Sequence, residues 1–308
     1  MKRTRRQRVF VTGATGFVGS FLVRQLLADG RDVAILLRPA SDTWRIIDVL
    51  DRINVVAGSM ENVAGFAPQL AEFAPEAVAH LAWRGVTNVH RNDAVQALNV
   101  TESVTLYTHA RDSGCTRFVG MGSQAEYGPV SARLDEQVPT RPTTVYGAAK
   151  LSAALLLDRL AVADGVAFAW LRLFSSYGPK DDPSWLIPYM ARRLLAGERP
   201  ALTAGEQIWD YIYVEDVAAA VLAALDVDAT GFFNLGSGVG QPLRAIIEAV
   251  RDAIDPALPL GIGEVPYRSD QVMHLEADIT ALTTATGWVP RMPLNEGLAN
   301  TIAWLRTV

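Results

Sequence analysis

Short apolar runs alternate with longer segments of helical periodicity along the first 174 residues of the chain. Uninterrupted apolar runs are typical of strands buried on both faces, whereas apolar positions three and four apart indicate helices. This alternation predicts an α/β fold in which helices cover both faces of a doubly wound parallel sheet. The predicted strands are residues 9–12, 33–37, 54–57, 77–81, 117–121 and 168–174, and the clearest helices are residues 17–28, 94–111 and 145–163.

The pattern changes beyond residue 174, where a proline-bounded loop and one helix precede a return to strand, helix and strand. The remaining chain is helical at first and then rich in loops. We therefore predict a large domain of residues 1–174, completed by residues 209–239, and a smaller lobe of residues 175–208 and 240–308. A ligand is expected in the cleft, at the carboxyl ends of the strands.

Three glycines, Gly13, Gly16 and Gly19, follow the first strand and open the first helix. Glycine permits a tight turn, lets backbone amides approach a pyrophosphate and allows strand and helix to pack closely. The helix N-terminus adds a dipole that favours an anion. This context predicts a Rossmann-type dinucleotide-binding domain over residues 1–174, and we expect the smaller lobe to bind the substrate. The same cradle includes the backbone of Thr15, Phe17 and Val18.

The end of the second strand selects between the two nicotinamide cofactors. A carboxylate there hydrogen-bonds the adenosine ribose of NAD and repels the 2′-phosphate of NADP. This chain has Leu37 and then Arg38 at that position. Because a guanidinium pairs with a phosphate through charge-assisted hydrogen bonds, Arg38 favours NADP. NAD remains possible if Arg38 only faces solvent.

Tyr146 and Lys150 lie four residues apart in a predicted helix, which places both side chains on one face. A phenol titrates at about 10, so catalysis at about pH 7 requires a shift of about 3 units, for which a close ammonium has the right sign. Ser123, just past a strand, can hydrogen-bond the substrate oxygen beside the phenol. The alternative is a turn serine that bonds local backbone. With the glycines, this set predicts nicotinamide-dependent chemistry on an alcohol or ketone.

In order and spacing, these residues resemble the extended short-chain dehydrogenase/reductase family, in its nucleotide-sugar epimerase, dehydratase and ketoreductase group. The resemblance covers essentially the whole chain. It implies a catalytic triad of Ser123, Tyr146 and Lys150, with the tyrosine and lysine also contacting the cofactor. Further cofactor contacts are implied at the end of the fourth strand and on the next helix, at Leu81, Ala82 and Asn99.

The chain departs from the family pattern where substrate or adenine contacts are usual. Ser175 stands where asparagine is usual and Trp209 where arginine is usual, and both positions often contact the substrate's nucleotide. Ser59 replaces a common aspartate near the adenine, and Glu102 replaces a common glycine on the next helix. Arg268, where the family often binds the diphosphate, is therefore the best remaining phosphate ligand.

Residues 83–91 follow the fourth strand and are expected to face the sugar, with Trp83 and Arg84 as specificity elements. A plain surface loop is the alternative. Gln124, next to Ser123, is also expected to contact substrate. His80 is predicted to be a packed strand-end residue rather than a base. The four histidines lack the spacing of a zinc site, and we predict no metal.

The residues after Ser123 narrow the reaction. Dehydratases of the family carry an Asp-Glu pair there, whereas this chain has Gln124 and Ala125, which cannot serve as acid and base. An NADP preference indicates a one-way reductase, so we predict reduction of a keto group on a nucleotide-activated deoxysugar, a 4-keto-6-deoxyhexose. The alternatives are an NAD-dependent nucleotide-sugar 4-epimerase, a small-carbonyl reductase of the dihydroflavonol type and a non-catalytic dinucleotide sensor. A sensor typically loses the tyrosine or the lysine, and this chain keeps both.

Composition and charge exclude other classes. The net charge of −5 argues against a nucleic-acid or anionic-membrane partner, and the basic cluster of Lys2, Arg3, Arg5, Arg6 and Arg8 is predicted to be a frayed terminus. No apolar stretch approaches the ~20 residues that span a bilayer, and we expect no signal peptide. The lone Cys115 fits a reducing, cytoplasmic environment. The apolar helices 94–111 and 145–163 match those that pair in family dimers, so we expect a homodimer.

Overall fold

The structure is a computed structural model that describes residues 7–86, 90–268 and 271–308. Its first seven strands are β1 (Arg8–Thr12), β2 (Asp32–Leu37), β3 (Asn54–Ala57), β4 (Ala77–His80), β5 (Arg117–Ser123), β6 (Ala167–Leu173) and β7 (Ser175–Tyr177). The later strands are β8 (Ala201–Leu202), β9 (Ile208–Trp209), β10 (Tyr211–Tyr213), β11 (Gly231–Leu235), β12 (Gln241–Pro242), β13 (Gly261–Ile262) and β14 (His274–Leu275).

The α-helices of the described chain lie between these strands and at its end. They are α1 (Phe17–Ala28), α2 (Val63–Phe73), α3 (Gln96–Asp112), α4 (Val145–Asp164), α5 (Leu186–Leu195), α6 (Val214–Asp226), α7 (Leu243–Asp252), α8 (Thr280–Thr286) and α9 (Leu294–Leu305). In the described ranges, no helix is both long and apolar enough to cross a membrane.

The main sheet has seven strands in the order β11-β6-β5-β4-β1-β2-β3, and every neighbouring pair is parallel. This confirms the predicted doubly wound α/β fold. The alternation of side chains along β1 builds two cores, because Val9 and Val11 join the cluster that includes residues of α1 and α6, whereas Phe10 joins the cluster of α2, α3 and α4. Phe10 lies 6.2 Å from Phe66 of α2, measured between ring centroids.

A third core holds the smaller lobe together. It consists of apolar residues from α5, α7 and α9, packed with Tyr177 of β7 and Tyr213 of β10. The lobe's strands are short, and they form a three-stranded sheet, β12-β9-β14, and the pair β13-β8. Strand β7 follows β6 in the chain and β10 directly precedes α6, and these two strands pair with each other in parallel.

Two predicted boundaries shifted for local reasons. Helix α3 begins at Gln96 rather than at residue 94 because the Asp93 carboxylate accepts the N–H of Val95, 3.0 Å away, in a turn. Strand β5 continues to Ser123, two residues beyond the predicted end. Part of the basic cluster, Lys2, Arg3, Arg5 and Arg6, and residues 87–89 lie outside the described residues.

Candidate active site

The carboxyl ends of the central strands meet along one edge of the sheet. Thr12 at the end of β1 pairs with His80 at the end of β4, and Ser123 at the end of β5 pairs with Leu173 at the end of β6. His80 bridges this edge, because its Nδ1 lies 2.8 Å from Thr12 Oγ1 and its Nε2 lies 2.9 Å from Ser103 Oγ. Burial, with the nearby charge of Lys150, lowers the pKa of His80 to about 3. The imidazole is therefore a neutral packing residue.

The glycine turn between β1 and α1 leaves no room for a side chain at Gly13 or Gly19. Gly13 has a φ of +77°, and a Cβ there would lie 2.7 Å from the backbone nitrogen of Ala82. A Cβ on Gly19 would overlap the carbonyl oxygen of Gly13. Backbone therefore packs on backbone here, which brings Leu81 and Ala82 against the turn. Gly16 is the N-cap of α1, and Phe17 and Val18 form its first turn.

A cleft of about 340 Å³ opens beside this turn. Its walls come from the glycine turn, from the ends of β2, β3 and β4 and from α3. Arg38 lies in the wall at the end of β2, together with Ser41 and Ser59. The remaining predicted residues in the lining are Gly13, Thr15, Gly16, Leu81, Ala82, Trp83, Arg84 and Asn99.

Arg84 lies in this cleft as part of an ion-pair cluster. Its guanidinium pairs with Glu61 at 2.8 Å and also with Glu102. Asn99 fixes the backbone of Arg84, since its Oδ1 accepts the Arg84 N–H at 3.0 Å and its Nδ2 donates to the Arg84 carbonyl at 3.1 Å. Arg84 is predicted to be a substrate ligand, and these contacts place its guanidinium in the cleft that Arg38 also lines.

Tyr146 is buried in the first turn of α4, where only 5% of it is exposed. Thr144 is the N-cap of α4, and its Oγ1 accepts the N–H of Gly147 at 3.1 Å. Burial raises the pKa of the Tyr146 phenol, while a hydrogen bond with the Ser123 side chain and the charge of Arg91 act in the opposite direction. The structure thus brings Ser123 and Tyr146 together.

Lys150 lies one turn further along α4 and is equally buried. Its Nζ donates to the Met121 carbonyl at 2.6 Å and lies 3.8 Å from the centre of the Trp83 ring. Burial lowers the pKa of Lys150 to about 7, although the nearby Glu126 carboxylate acts to raise it. Trp83 also packs edge-on to Tyr146, with ring centroids 6.4 Å apart, so one indole contacts both predicted catalytic side chains.

A buried ion pair, which was not predicted from the sequence, lies directly behind Ser123. The Glu126 carboxylate accepts hydrogen bonds from Ser123 N, Trp170 Nε1 and Arg172 Nε, each 2.9 Å long. Arg172 also donates to the Tyr127 hydroxyl at 2.9 Å. Two signals were available in the sequence: Ser123 and Glu126 have the spacing of a capping box, and Arg172 interrupts an apolar strand.

The two unusual substrate positions are bonded to each other. The indole N–H of Trp209 donates to Ser175 Oγ at 2.7 Å, which joins the start of β7 to β9. Ser175 follows β6, two positions past the residue that pairs with Ser123, so it lies at the same edge of the sheet. Gln124 begins the short 3₁₀ turn after Ser123. Arg268 is exposed and directly precedes residues that are not described.

Within the described ranges, no group of three or more histidine, cysteine, aspartate or glutamate side chains is arranged to hold a metal ion. The residues that the structure collects at the sheet edge are a phenol, a hydroxyl and an amine. Such a set can move a proton to or from an oxygen atom.

The model of the NAD dependent epimerase/dehydratase family matches residues 9–236 of this chain. The UDP-glucose 4-epimerase of Mycolicibacterium smegmatis is 29% identical, over 97% of this chain and 98% of that protein. The dTDP-glucose 4,6-dehydratase of Streptomyces griseus is 27% identical, over 96% and 93%. The crystal structure of Thermus thermophilus UDP-glucose 4-epimerase in complex with NAD is 28% identical, with a TM-score of 0.86 over 97% of this chain and 99% of that one.

Proposed function

Because the chain belongs to the NAD dependent epimerase/dehydratase family, we propose that it uses NADPH to reduce a keto group on a nucleotide-diphosphate-activated deoxysugar. The substrate we favour is a 4-keto-6-deoxyhexose. The observation that carries the choice of cofactor is Arg38, which lines the cleft at the end of β2. A carboxylate at that point would favour NAD.

The glycine turn fits a dinucleotide. A side chain at Gly13 would collide with the backbone after β4, and one at Gly19 would overlap the Gly13 carbonyl. With glycine at both positions, the backbone amides of the turn stay accessible to a pyrophosphate. Gly13, Thr15, Gly16 and the first turn of α1 would hold the phosphates. Leu81, Ala82 and Asn99 would hold the rest of the dinucleotide along the cleft that they line.

Tyr146 is the proposed proton donor. When bound, the reduced nicotinamide supplies a hydride to the carbonyl carbon of the sugar. Tyr146 gives its phenolic proton to the carbonyl oxygen, and the Ser123 hydroxyl beside the phenol would orient that oxygen. Lys150, one turn along α4, would hold the ribose next to the nicotinamide. Proton transfer of this kind contributes about 10²–10⁴-fold to a rate.

The substrate would enter from the smaller lobe. Ser175 and Trp209 form a bonded pair at the sheet edge, and we propose that they contact the nucleotide of the substrate, with Arg268 at its diphosphate. Trp83, Arg84 and Gln124 would face the sugar. Dehydration is not proposed, because Gln124 and Ala125 follow Ser123 and neither side chain can act as an acid or a base.

A nucleotide-sugar 4-epimerase is the second candidate. It is favoured by the similarity, over nearly the whole chain, to the UDP-glucose 4-epimerase of Mycolicibacterium smegmatis. Such an enzyme would use the same tyrosine to remove a proton and then return it. The two functions differ in one measurable respect, because a reductase consumes cofactor in every turnover and an epimerase does not.

The deciding experiment is to incubate the protein with NADPH and a panel of nucleotide-linked 4-keto-6-deoxy sugars. The absorbance of NADPH is followed, and any product is identified by NMR. We expect stoichiometric oxidation of NADPH with a reduced sugar. A product formed without net oxidation would favour the epimerase. Arg38→Asp should reverse the coenzyme preference, and a wild type that prefers NADH would refute the assignment of Arg38.

We also propose that the chain is a cytoplasmic homodimer formed through α3 and α4. Leu98 of α3 is 53% exposed, and Leu155, Leu156 and Val162 of α4 are 51%, 50% and 66% exposed. Leu155→Glu should shift the protein to monomers in sedimentation equilibrium, whereas Ile47→Glu, at an exposed site outside both helices, should not. A monomeric wild type at micromolar concentration would refute the dimer.

The division into a dinucleotide-binding domain of residues 1–174 with 209–239, and a substrate lobe of residues 175–208 with 240–308, is likewise a proposal. It is supported by α6 and β11, which pack against or join the main sheet. The core formed by α5, α7 and α9 supports the separate lobe.

A further inference from the structure

The segment after the fourth strand is attached to the N-terminus of α4 at two points. The Arg91 carbonyl accepts the N–H of Tyr146 at 2.8 Å, and the Asn92 side chain accepts the N–H of Val145 at 3.1 Å. The first N–H groups of a helix have no partner within the helix, so these bonds satisfy two of them. The backbone of Arg91 is therefore held in a fixed position beside Tyr146.

The side chain of Arg91 covers the Tyr146 ring. Its guanidinium carbon lies 4.9 Å from the ring centroid. The Arg91 Nε is buried and has no hydrogen-bond partner. Many other arginines of the described chain form ion pairs with carboxylates, as Arg84 does with Glu61 and Glu102. Arg91 has no such ion pair among the described residues, so its charge acts on the phenol without a counter-ion.

The other charged and titratable groups around Tyr146 do not replace this cation. Lys150 directs its amine to the Met121 carbonyl and the Trp83 ring. Glu126, behind β5, carries a negative charge that acts against ionisation of the phenol. His80, at the end of β4, is buried between two hydroxyls. Ser123 is neutral and supplies only its hydrogen bond.

We propose that Arg91 is a positioning residue that stabilises the phenolate of Tyr146. This inference rests on the proposed function, in which Tyr146 delivers a proton. That delivery breaks the phenolic O–H bond, the carbonyl oxygen becomes a hydroxyl as its carbon accepts the hydride, and Tyr146 regains its proton from solvent. Between those events the negative charge rests on Tyr146, under the Arg91 guanidinium.

The size of the effect follows from the distance. The 4.9 Å is measured to the ring centre, and the phenolate charge lies on the ring and its oxygen, so the two charges are about 5–7 Å apart. At that separation in a partly buried site, with an effective dielectric constant of about 20–40, unit charges shift a pKa by about 1–2 units. Arg91→Met should therefore move the titration of Tyr146 upward by about 1–2 units. Arg91→Lys keeps the charge and should move it by less.

The test does not depend on knowing the substrate. The full-length protein is labelled with ¹³Cζ-tyrosine, saturated with NADP⁺ and titrated by NMR, with Tyr146→Phe to assign the resonance. Arg244→Met, which removes an exposed arginine on α7, is the control for a general loss of charge. An upward shift in Arg91→Met and its reduction in Arg91→Lys would support the proposal. Coincident curves for wild type and Arg91→Met would overturn it.

A second measurement separates this proposal from the proposed function. The pH dependence of kcat is recorded with whichever carbonyl substrate the wild type reduces. If kcat falls in Arg91→Met and its pH profile moves in the direction of the NMR titration, the proposal is supported. If only KM rises and the profile is unchanged, Arg91 binds substrate and the proposal fails. If no nucleotide sugar is reduced, the proposed function fails while the NMR result stands. Should Arg91→Met not fold, Arg91→Gln takes its place in both measurements.

Discussion

Replacing Glu126 by glutamine should destabilise the protein far more than its conservative chemistry suggests. Glu126 is fully buried, and its carboxylate lies 2.9 Å from Arg172, whose side chain is 5% exposed. Glutamine keeps an oxygen that can accept from Ser123 N and Trp170 Nε1, so the main loss is the charge opposite Arg172. Leaving one partner of a buried ion pair uncompensated costs about 3–5 kcal/mol.

The measurement is the free energy of unfolding from urea titration, applied to a double-mutant cycle. Glu126→Gln and Arg172→Met should each destabilise the protein, whereas the double variant should lose less than the sum, because the second change removes the unpaired charge. The coupling should be on the order of 2–3 kcal/mol. The matched control is Glu198→Ala, which breaks the exposed Arg193–Glu198 pair at 2.9 Å and should cost at most about 1 kcal/mol.

Two results would refute this reasoning. A loss in Glu126→Gln no greater than in the surface control would mean that the pair contributes nothing beyond an exposed ion pair. Additive losses in the cycle would mean that Glu126 and Arg172 act independently. The site offers a parallel readout, since the Glu126 carboxylate holds the N–H of Ser123. Weaker positioning of Ser123 should lower kcat with little change in KM.

Three further predictions concern the phenol, the amine and the glycine turn. Tyr146→Phe should lose turnover by orders of magnitude and keep NADPH affinity in a fluorescence titration; unchanged turnover would favour a sensor over an enzyme. Burial lowers the pKa of Lys150 to about 7, from 10.5. Between these two pH values the unfolded chain binds one proton more than the folded protein, so the free energy of unfolding in urea should rise from pH 7 to 9. This rise should be smaller in Lys150→Met, and equal rises in the two proteins would contradict the prediction. Gly19→Ala places a methyl group against the Gly13 carbonyl and should abolish NADPH binding measured by calorimetry; normal affinity would refute the close-packed turn.

The sheet could be predicted because its signals are local. The apolar runs gave β1 to β6 to within about two residues, and the glycine spacing gave the start of α1. The observed β5 continues past the predicted end because Gly122 and Ser123 carry no apolar signal, and another glycine, Gly120, precedes them. In the structure both glycines face the Trp170 ring, where a Cβ would overlap the indole. The requirement for glycine at these two positions therefore depends on Trp170, a residue of the neighbouring strand β6.

The candidate site could be predicted from the sequence only in part. The spacing of Tyr146 and Lys150 on one helix is local, but the charges that act on them are not. The place of Arg84 in the chain predicts that it faces the sugar, but only the structure shows that Glu61 and Glu102 pair with its guanidinium in the cleft that Arg38 lines. Ser175 and Trp209 were separate anomalies in the sequence, and the structure bonds one to the other.

The sequence by itself determined the doubly wound sheet, the glycine turn and the tyrosine and lysine on one helical face, because each follows from neighbours a few positions apart. Only the tertiary structure decided which charges meet at the Tyr146 phenol. Glu126 and Arg172 are 46 residues apart in the chain and hydrogen-bonded in the fold. Arg91 comes from another segment and covers Tyr146. Electrostatic interactions depend on distance through space and on burial, and both quantities exist only once the strands have assembled.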